Sequence, residues 1–155
     1  MRNLKPPGPA GYSGTPLPKK LGIKPGMTVA LVSAPAGFSL GELPEGAKVR
    51  RGARGRPALV VWFVSSRTEL GWEIRRIAGF AAGAPLWIAW RKQGARTVRG
   101  RAGVAAPSES AVRGAGLEAG LVDHKVCAID REWSGLLFAP RRGRPATSRS
   151  ARSGR

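Results

Sequence analysis

At 155 residues, 42% of them apolar, the chain is of one-domain size with enough hydrophobic side chains for an ordinary core. Twenty-seven Lys and Arg against nine Asp and Glu give a formal charge of +18, a field that attracts polyanions of any kind. The lone cysteine, Cys127, excludes an internal disulfide, no Cys/His cluster could hold zinc, and no apolar run reaches the roughly 18 residues of a membrane span. Met1 to Pro6 lacks the apolar centre of a secretory signal. These features lead us to expect a cytoplasmic protein without membrane association.

Residues 1–10, rich in Pro and Gly, read as a flexible arm ahead of a domain over 11–140. Leu17, Leu21 and Ile23 share one face of a single helical turn, with Lys19 and Lys20 outward. Lys24-Pro25-Gly26 places Pro and Gly at the centre of a type II turn leading into a strand. That strand, Thr28 to Ser33, is apolar without alternation, the mark of a strand buried on both faces. A small-residue loop follows, Ala34 to Gly37. Phe38 to Leu43 reads as a brief helix ended by Pro44 and Gly46.

Ala47 to Arg51 alternates and suits an edge strand, and Gly52 to Pro57 forms a basic loop. Ala58 to Val64 is the strongest strand in the chain. Behind it, Ser66-Arg67-Thr68-Glu69 has capping-box spacing, and Leu70, Ile74, Ile77 and Ala78 recur at helical spacing with Trp72 on another face. Gly83-Ala84-Pro85 stops that helix, and Leu86 to Trp90 makes a further strand.

Arg91 to Ala106 carries five basic residues, no acid and no hydrophobic period, the pattern of a long functional or mobile loop. Pro107-Ser108-Glu109 opens a third helix through Glu118. Leu121 to Asp130 and Gly135 to Ala139 read as two strands joined by Arg131 to Ser134, hence antiparallel. Residues 141–155 form a basic tail expected to be disordered. The alternation predicts an α/β, Rossmann-like, mainly parallel twisted sheet with flanking helices and a C-terminal antiparallel strand pair.

In topology this layout resembles the class I methyltransferase Rossmann fold over about residues 20–140. That resemblance implies a Gly-x-Gly loop after the first strand and a carboxylate after the second. Here the loop is Ser33-Ala34-Pro35-Ala36-Gly37, with one glycine and a proline that lacks a donor N–H, and the second position reads Val49-Arg50-Arg51-Gly52. A second resemblance rests on Gly11-Tyr12-Ser13-Gly14-Thr15-Pro16-Leu17, Lys20 to Lys24, and Lys125-Val126-Cys127-Ala128-Ile129-Asp130 with Trp133-Ser134-Gly135-Leu136. These segments are similar to an uncharacterised bacterial family, a short single-domain "domain of unknown function". The resemblance implies the same Rossmann-like fold and carries no activity with it. The chain departs from that family at Arg50 to Pro57 and at Arg91 to Ala106.

In open α/β sheets the loops at the carboxyl ends of the strands hold ligands. The candidate ligand site is therefore Ser33, Ala34, Pro35 and Gly37 with Trp90 and Lys92, suited to a small anionic or nucleotide-like molecule. Ser33 and the loop backbone would hydrogen-bond, Trp90 would stack, and Lys92 would meet the anion. Trp133, at another strand end, is a second stacking candidate, and Tyr12 either covers the ligand edge or packs as an arm. The alternative function is sequence-nonspecific nucleic-acid or other polyanion binding through Arg50, Arg51, Arg54, Arg56, Arg96, Arg99, Arg101 and the tail. A divergent S-adenosylmethionine-dependent methyltransferase is the third reading. No catalytic constellation is visible: His124 stands alone, Cys127 reads as a packed side chain, and Asp130 and Glu132 suit ion pairs at a strand end. The cofactor is left open.

Overall fold

The computed structural model describes residues 15–92 and 106–140. The expected arm and tail, Tyr12, Arg96, Arg99 and Arg101 lie outside the described residues.

In chain order the elements are α1 (Leu17–Leu21), β1 (Thr28–Val32), β2 (Lys48–Arg51), β3 (Leu59–Phe63), α2 (Arg67–Ala81), β4 (Leu86–Arg91), α3 (Glu109–Glu118), β5 (Leu121–Ala128) and β6 (Trp133–Pro140). One six-stranded sheet has the order β2-β1-β3-β4-β6-β5. The first four strands run parallel, β6 is antiparallel to β4, and β5 is antiparallel to β6. The mainly parallel sheet with its closing antiparallel pair is as the sequence predicts.

β3 is buried at every position and β4 at all but Arg91, which is why both read as unbroken apolar runs. β1 enters through the turn at Pro25-Gly26, where Met27 N–H donates to Lys24 O and Gly26 has φ +80°. Lys48 to Arg51 of β2 are all exposed, as an edge strand's residues should be.

Two apolar layers flank the sheet. On one side Ala30, Val60, Trp62, Ile88, Trp90, Leu136 and Phe138 meet Leu70, Ile74 and Ile77 of α2 and Val112 of α3. On the other, Val29, Leu31, Val61, Phe63 and Trp87 meet Leu21 of α1, Ile23, Leu40, Ile129 and Trp133. The Trp87 indole N–H donates to Leu21 O at 3.0 Å, which pins α1 to this face.

The chain moves from β1 outward to β2, and from β3 outward to β4 on the opposite side. Right-handed crossovers then require connections on opposite faces. α2 makes one of them, but the other contains no helix. The sequence predicts a helix over Phe38 to Leu43; the structure has an irregular segment there instead. Gly41 adopts φ +85°, which ends any helical turn, and Pro44 disfavours a helical Leu43. Leu40 is still buried on the sheet, with Phe38, Leu43 and Ala47 half-buried against the same layer, so the apolar spacing serves packing without a helix.

At the C-terminal pair, β6 starts at Trp133, two residues before the expected strand. β5 likewise ends two residues early, at Ala128, so the four-residue link is Ile129 to Glu132, and Asp130 Oδ1 closes it by accepting from the backbone N–H groups of Glu132 and Trp133 at 2.8 and 2.9 Å. His124 is the extra residue of a bulge between Asp123 and Lys125.

α2 begins as the capping box predicts. Ser66 Oγ accepts from Glu69 N–H at 3.1 Å, while the Glu69 carboxylate accepts from Ser65 N–H at 2.8 Å, one residue earlier than the usual reciprocal bond. Ser66→Ala should lower stability by about 1 kcal/mol, read as a reduced urea midpoint at unchanged slope.

Arg113 of α3 bridges Glu109 and Asp123, each at 3.0 Å. Its hydrogen bond holds the Asp123 carboxyl below the usual carboxylate range. A carboxyl with a lowered pKa in the folded state adds stability above its unfolded value, near pH ~4, and loses it as pH falls through the lowered value. Asp123→Asn should therefore flatten the acid limb of a melting-temperature profile below pH ~4 and leave its shape near neutrality unchanged.

Candidate functional site

Strand order reverses between β1 and β3, so their carboxyl ends define the crevice where a ligand sits in sheets of this kind. Ser33 leaves β1 there in the left-handed region, with φ +60°, a conformation an L-residue adopts at a cost of about 1–2 kcal/mol. Its side chain is exposed, Ala34 and Pro35 are half-buried, and Ala36 and Gly37 are exposed. Phe38 N–H donates back to Pro35 O, making a tight turn of the loop.

Arg51, at the carboxyl end of β2, fixes this loop. Its guanidinium donates to Phe38 O at 2.9 Å and to Pro35 O at 3.5 Å. The sequence suggests Arg51 as a nucleic-acid contact; in the structure its fork is directed at loop carbonyls of the candidate ligand site. The register pairs Arg51 with Leu31 and Arg50 with Ala30, so the two arginines project to opposite faces.

An aromatic row closes the same edge. The Phe38 and Phe63 rings meet edge to face at 4.8 Å, and Phe63 meets Trp133 likewise at 5.0 Å. The Arg91 guanidinium lies over Trp133 at 4.9 Å and donates to Glu132 at 3.0 Å. α2 presents its N-terminus at this edge, with Ser65 exposed after Val64.

The six candidate ligand residues thus divide. Ser33, Ala34, Pro35 and Gly37 form one loop beside Arg51. Trp90 is two strands away and only 6% exposed, packed in the layer under α2, so its ring is covered by protein and is no open stacking platform. Lys92 is half-buried beyond β4, its backbone N–H donating to Glu132 O. Trp133, the other stacking candidate, is likewise buried, between Phe63 and Arg91. Arg54 and Arg56 are exposed in the connection from β2 to β3.

Sequence reasoning misses Phe38, Phe63 and Arg91 as parts of this edge. Their signal is present, a bulky residue directly after the strand-end loop or closing a strand, but the helix-like spacing of Phe38 to Leu43 conceals the first of them. Of the other reactive side chains, Cys127 is half-buried and burial pushes its thiol pKa up, which disfavours a nucleophilic thiolate. Asp130 commits its carboxylate to the turn before β6.

No family model and no curated protein matches the chain. Solved structures do. One is a SAM-dependent methyltransferase from Aquifex aeolicus, with TM-score 0.53 and 17% identity, covering 77% of this chain and 85% of that one. Another is magnesium protoporphyrin IX methyltransferase from Synechocystis PCC 6803 with bound SAH, with TM-score 0.50 and 12% identity over 76% and 75% of the chains. At such identities the likeness is one of fold. The chain therefore has a methyltransferase-like Rossmann fold, in which helixless connections follow β1 and β2. No helix among the described residues is long and apolar enough to cross a membrane.

Proposed function

We propose that the chain is a cytoplasmic Rossmann-like protein that binds a small anionic, nucleotide-like ligand at the carboxyl ends of β1 and β3. The observation that carries this reading is the Ser33–Phe38 loop: it leaves β1 in a left-handed conformation at the point where strand order reverses, and a cation fixes it there. Backbone held in an unfavoured conformation at a ligand edge is a feature of binding loops. Arg51 adds positive charge within the site and the exposed Ser65 adds a hydroxyl, and an anion is the ligand such a cation favours.

The fold likeness favours a second reading, binding of S-adenosylmethionine with methyl transfer. The residues present do not fit that cofactor well. Pro35 removes a backbone donor from the loop, Arg51 stands where the fold's usual ribose carboxylate would be, and the Phe38 ring already packs on Phe63 at the same edge. These three residues leave a methyl-transfer step without a defined seat for its donor.

A thermal-shift and calorimetric titration separates these readings. Nucleoside mono- and diphosphates, S-adenosylmethionine and S-adenosylhomocysteine would each be added at moderate salt. A ligand at a hundred times its dissociation constant adds about 2.7 kcal/mol to the folded state, a shift of several degrees. Stabilisation by the phosphate-bearing ligands, lost in Arg51→Ala, supports the first reading. Stabilisation by the adenosyl compounds alone supports the second, and no shift with any of them removes both.

A further inference from the structure

The chain has five tryptophans, and four are core side chains: Trp62, Trp87, Trp90 and Trp133 are at most 6% exposed. Trp72 is 79% exposed, far above the other exposed large apolar side chains among the described residues, Val49, Leu117 and Val126. It sits on the side of α2 opposite Leu70, Ile74, Ile77 and Ala81, so no part of the fold's core requires it. Arg75 and Arg76 follow it by three and four residues, the spacing that places them beside it on the helix surface. Arg76 pairs with Glu73 and Arg75 donates to Glu118 O at 3.5 Å, both in exposed positions. Such contacts contribute little and exchange readily for a phosphate.

The same side of the sheet is basic beyond the helix. Arg50 and Lys48 share the face of Ala30 and Thr28, and Ala30 packs in the layer under α2. The connection from β2 to β3, carrying Arg54 and Arg56, crosses on this side: a Cβ on Gly55 would lie 2.6 Å from Arg50 Nη1. With Arg67, seven cations share this side, and the two acids of α2, Glu69 and Glu73, are both already engaged.

We propose that the outer face of α2 is a docking surface for single-stranded nucleic acid, with Trp72 stacking on an unpaired base and the surrounding arginines holding the backbone. Stacking on an open indole needs a base free of its own stack, which a single strand supplies and a duplex does not. Anionic lipid is the weaker fit. Membrane binding by a surface helix scales with buried apolar area, and this face offers one tryptophan among Thr68, Arg75, Arg76 and Gly79. This surface is separate from the β1–β3 edge, and either can stand without the other.

The test uses the full chain and a short oligo(dT) strand, with intrinsic fluorescence and anisotropy recorded together. Because the other indoles are buried, quenching on binding reports Trp72. Trp72→Ala should weaken binding roughly five- to hundredfold, as loss of one stacked base implies. Trp72→Phe should recover part of it. The salt dependence should keep its slope in Trp72→Ala and become shallower by about one in Arg76→Ala. Heparin, which has charge but no bases, should bind wild type and Trp72→Ala alike. Unquenched fluorescence at saturation overturns the proposal, as does equal oligo(dT) affinity in Trp72→Ala. So does a blue shift and tighter binding on phosphatidylserine vesicles than on oligo(dT).

Discussion

Trp87→Ala is expected to remove about 4 kcal/mol of stability, a large share of the roughly 5–15 kcal/mol that holds a domain of this size together. The indole is fully buried at the centre of the sheet, and it meets the backbone of β6 where Gly135 leaves room: a Cβ there would lie 3.1 Å from Trp87 Cε3. Deleting the ring opens a cavity between β4 and α1 and also orphans Leu21 O, the acceptor of its N–H. Trp87→Phe separates the two effects, since it keeps most of the bulk and loses the donor, and should cost about 1–3 kcal/mol. Urea unfolding of the three proteins checks this. If the phenylalanine variant matches wild type, the indole bond does not anchor α1.

Gly116→Val should be nearly as damaging, by about 3 kcal/mol, for the opposite reason. A Cβ at this position of α3 would collide with the Phe138 ring, which is itself fully buried under the helix. α3 approaches β6 this closely only because the side chain is absent, so any substituent must displace the buried Phe138 ring or the helix itself. Gly114 is the internal control: it lies in the same helix with nothing within 4 Å of its would-be Cβ. Gly114→Ala should stabilise by about 0.5–1 kcal/mol through helix propensity alone. Calorimetric melting points moving in opposite directions for the two variants would verify the packing of α3. A harmless Gly116→Val would disprove it.

Much of the sheet is legible in the sequence because burial writes itself plainly into composition. Strands covered on both faces must be apolar at every position, and β1, β3 and β4 nearly are. α2 is legible from its cap and its spacing together. What misleads is the stretch after β1, where Phe38, Leu40 and Leu43 have a spacing that a helix and an irregular packed segment share. Gly41 and Pro44 carry the distinction. The candidate site is legible as a place, through the loop at Ser33 to Gly37, but not as a set of partners. Arg51 looks like any surface arginine until the fold puts Pro35 and Phe38 within its reach. Trp90 misleads for a related reason: strand-end position suggests access, and only the covering helix shows that it is closed.

The bare flank around β2 has a consequence for motion. Amide protons exchange by local opening, and the segments with the fewest buried apolar contacts open first. β2 buries none of its four residues, whereas β3 and β4 are sealed by layers on both faces. A gradient of exchange protection should therefore run across the sheet, steep between β1 and β2. Arg51 belongs to that low-protection flank while gripping the loop at the sheet's carboxyl edge. When β2 frays, the loop loses its clasp; when a ligand steadies the loop, β2 should become slower to exchange. The described strand with no buried residue is thus tied directly to the loop at the ligand edge.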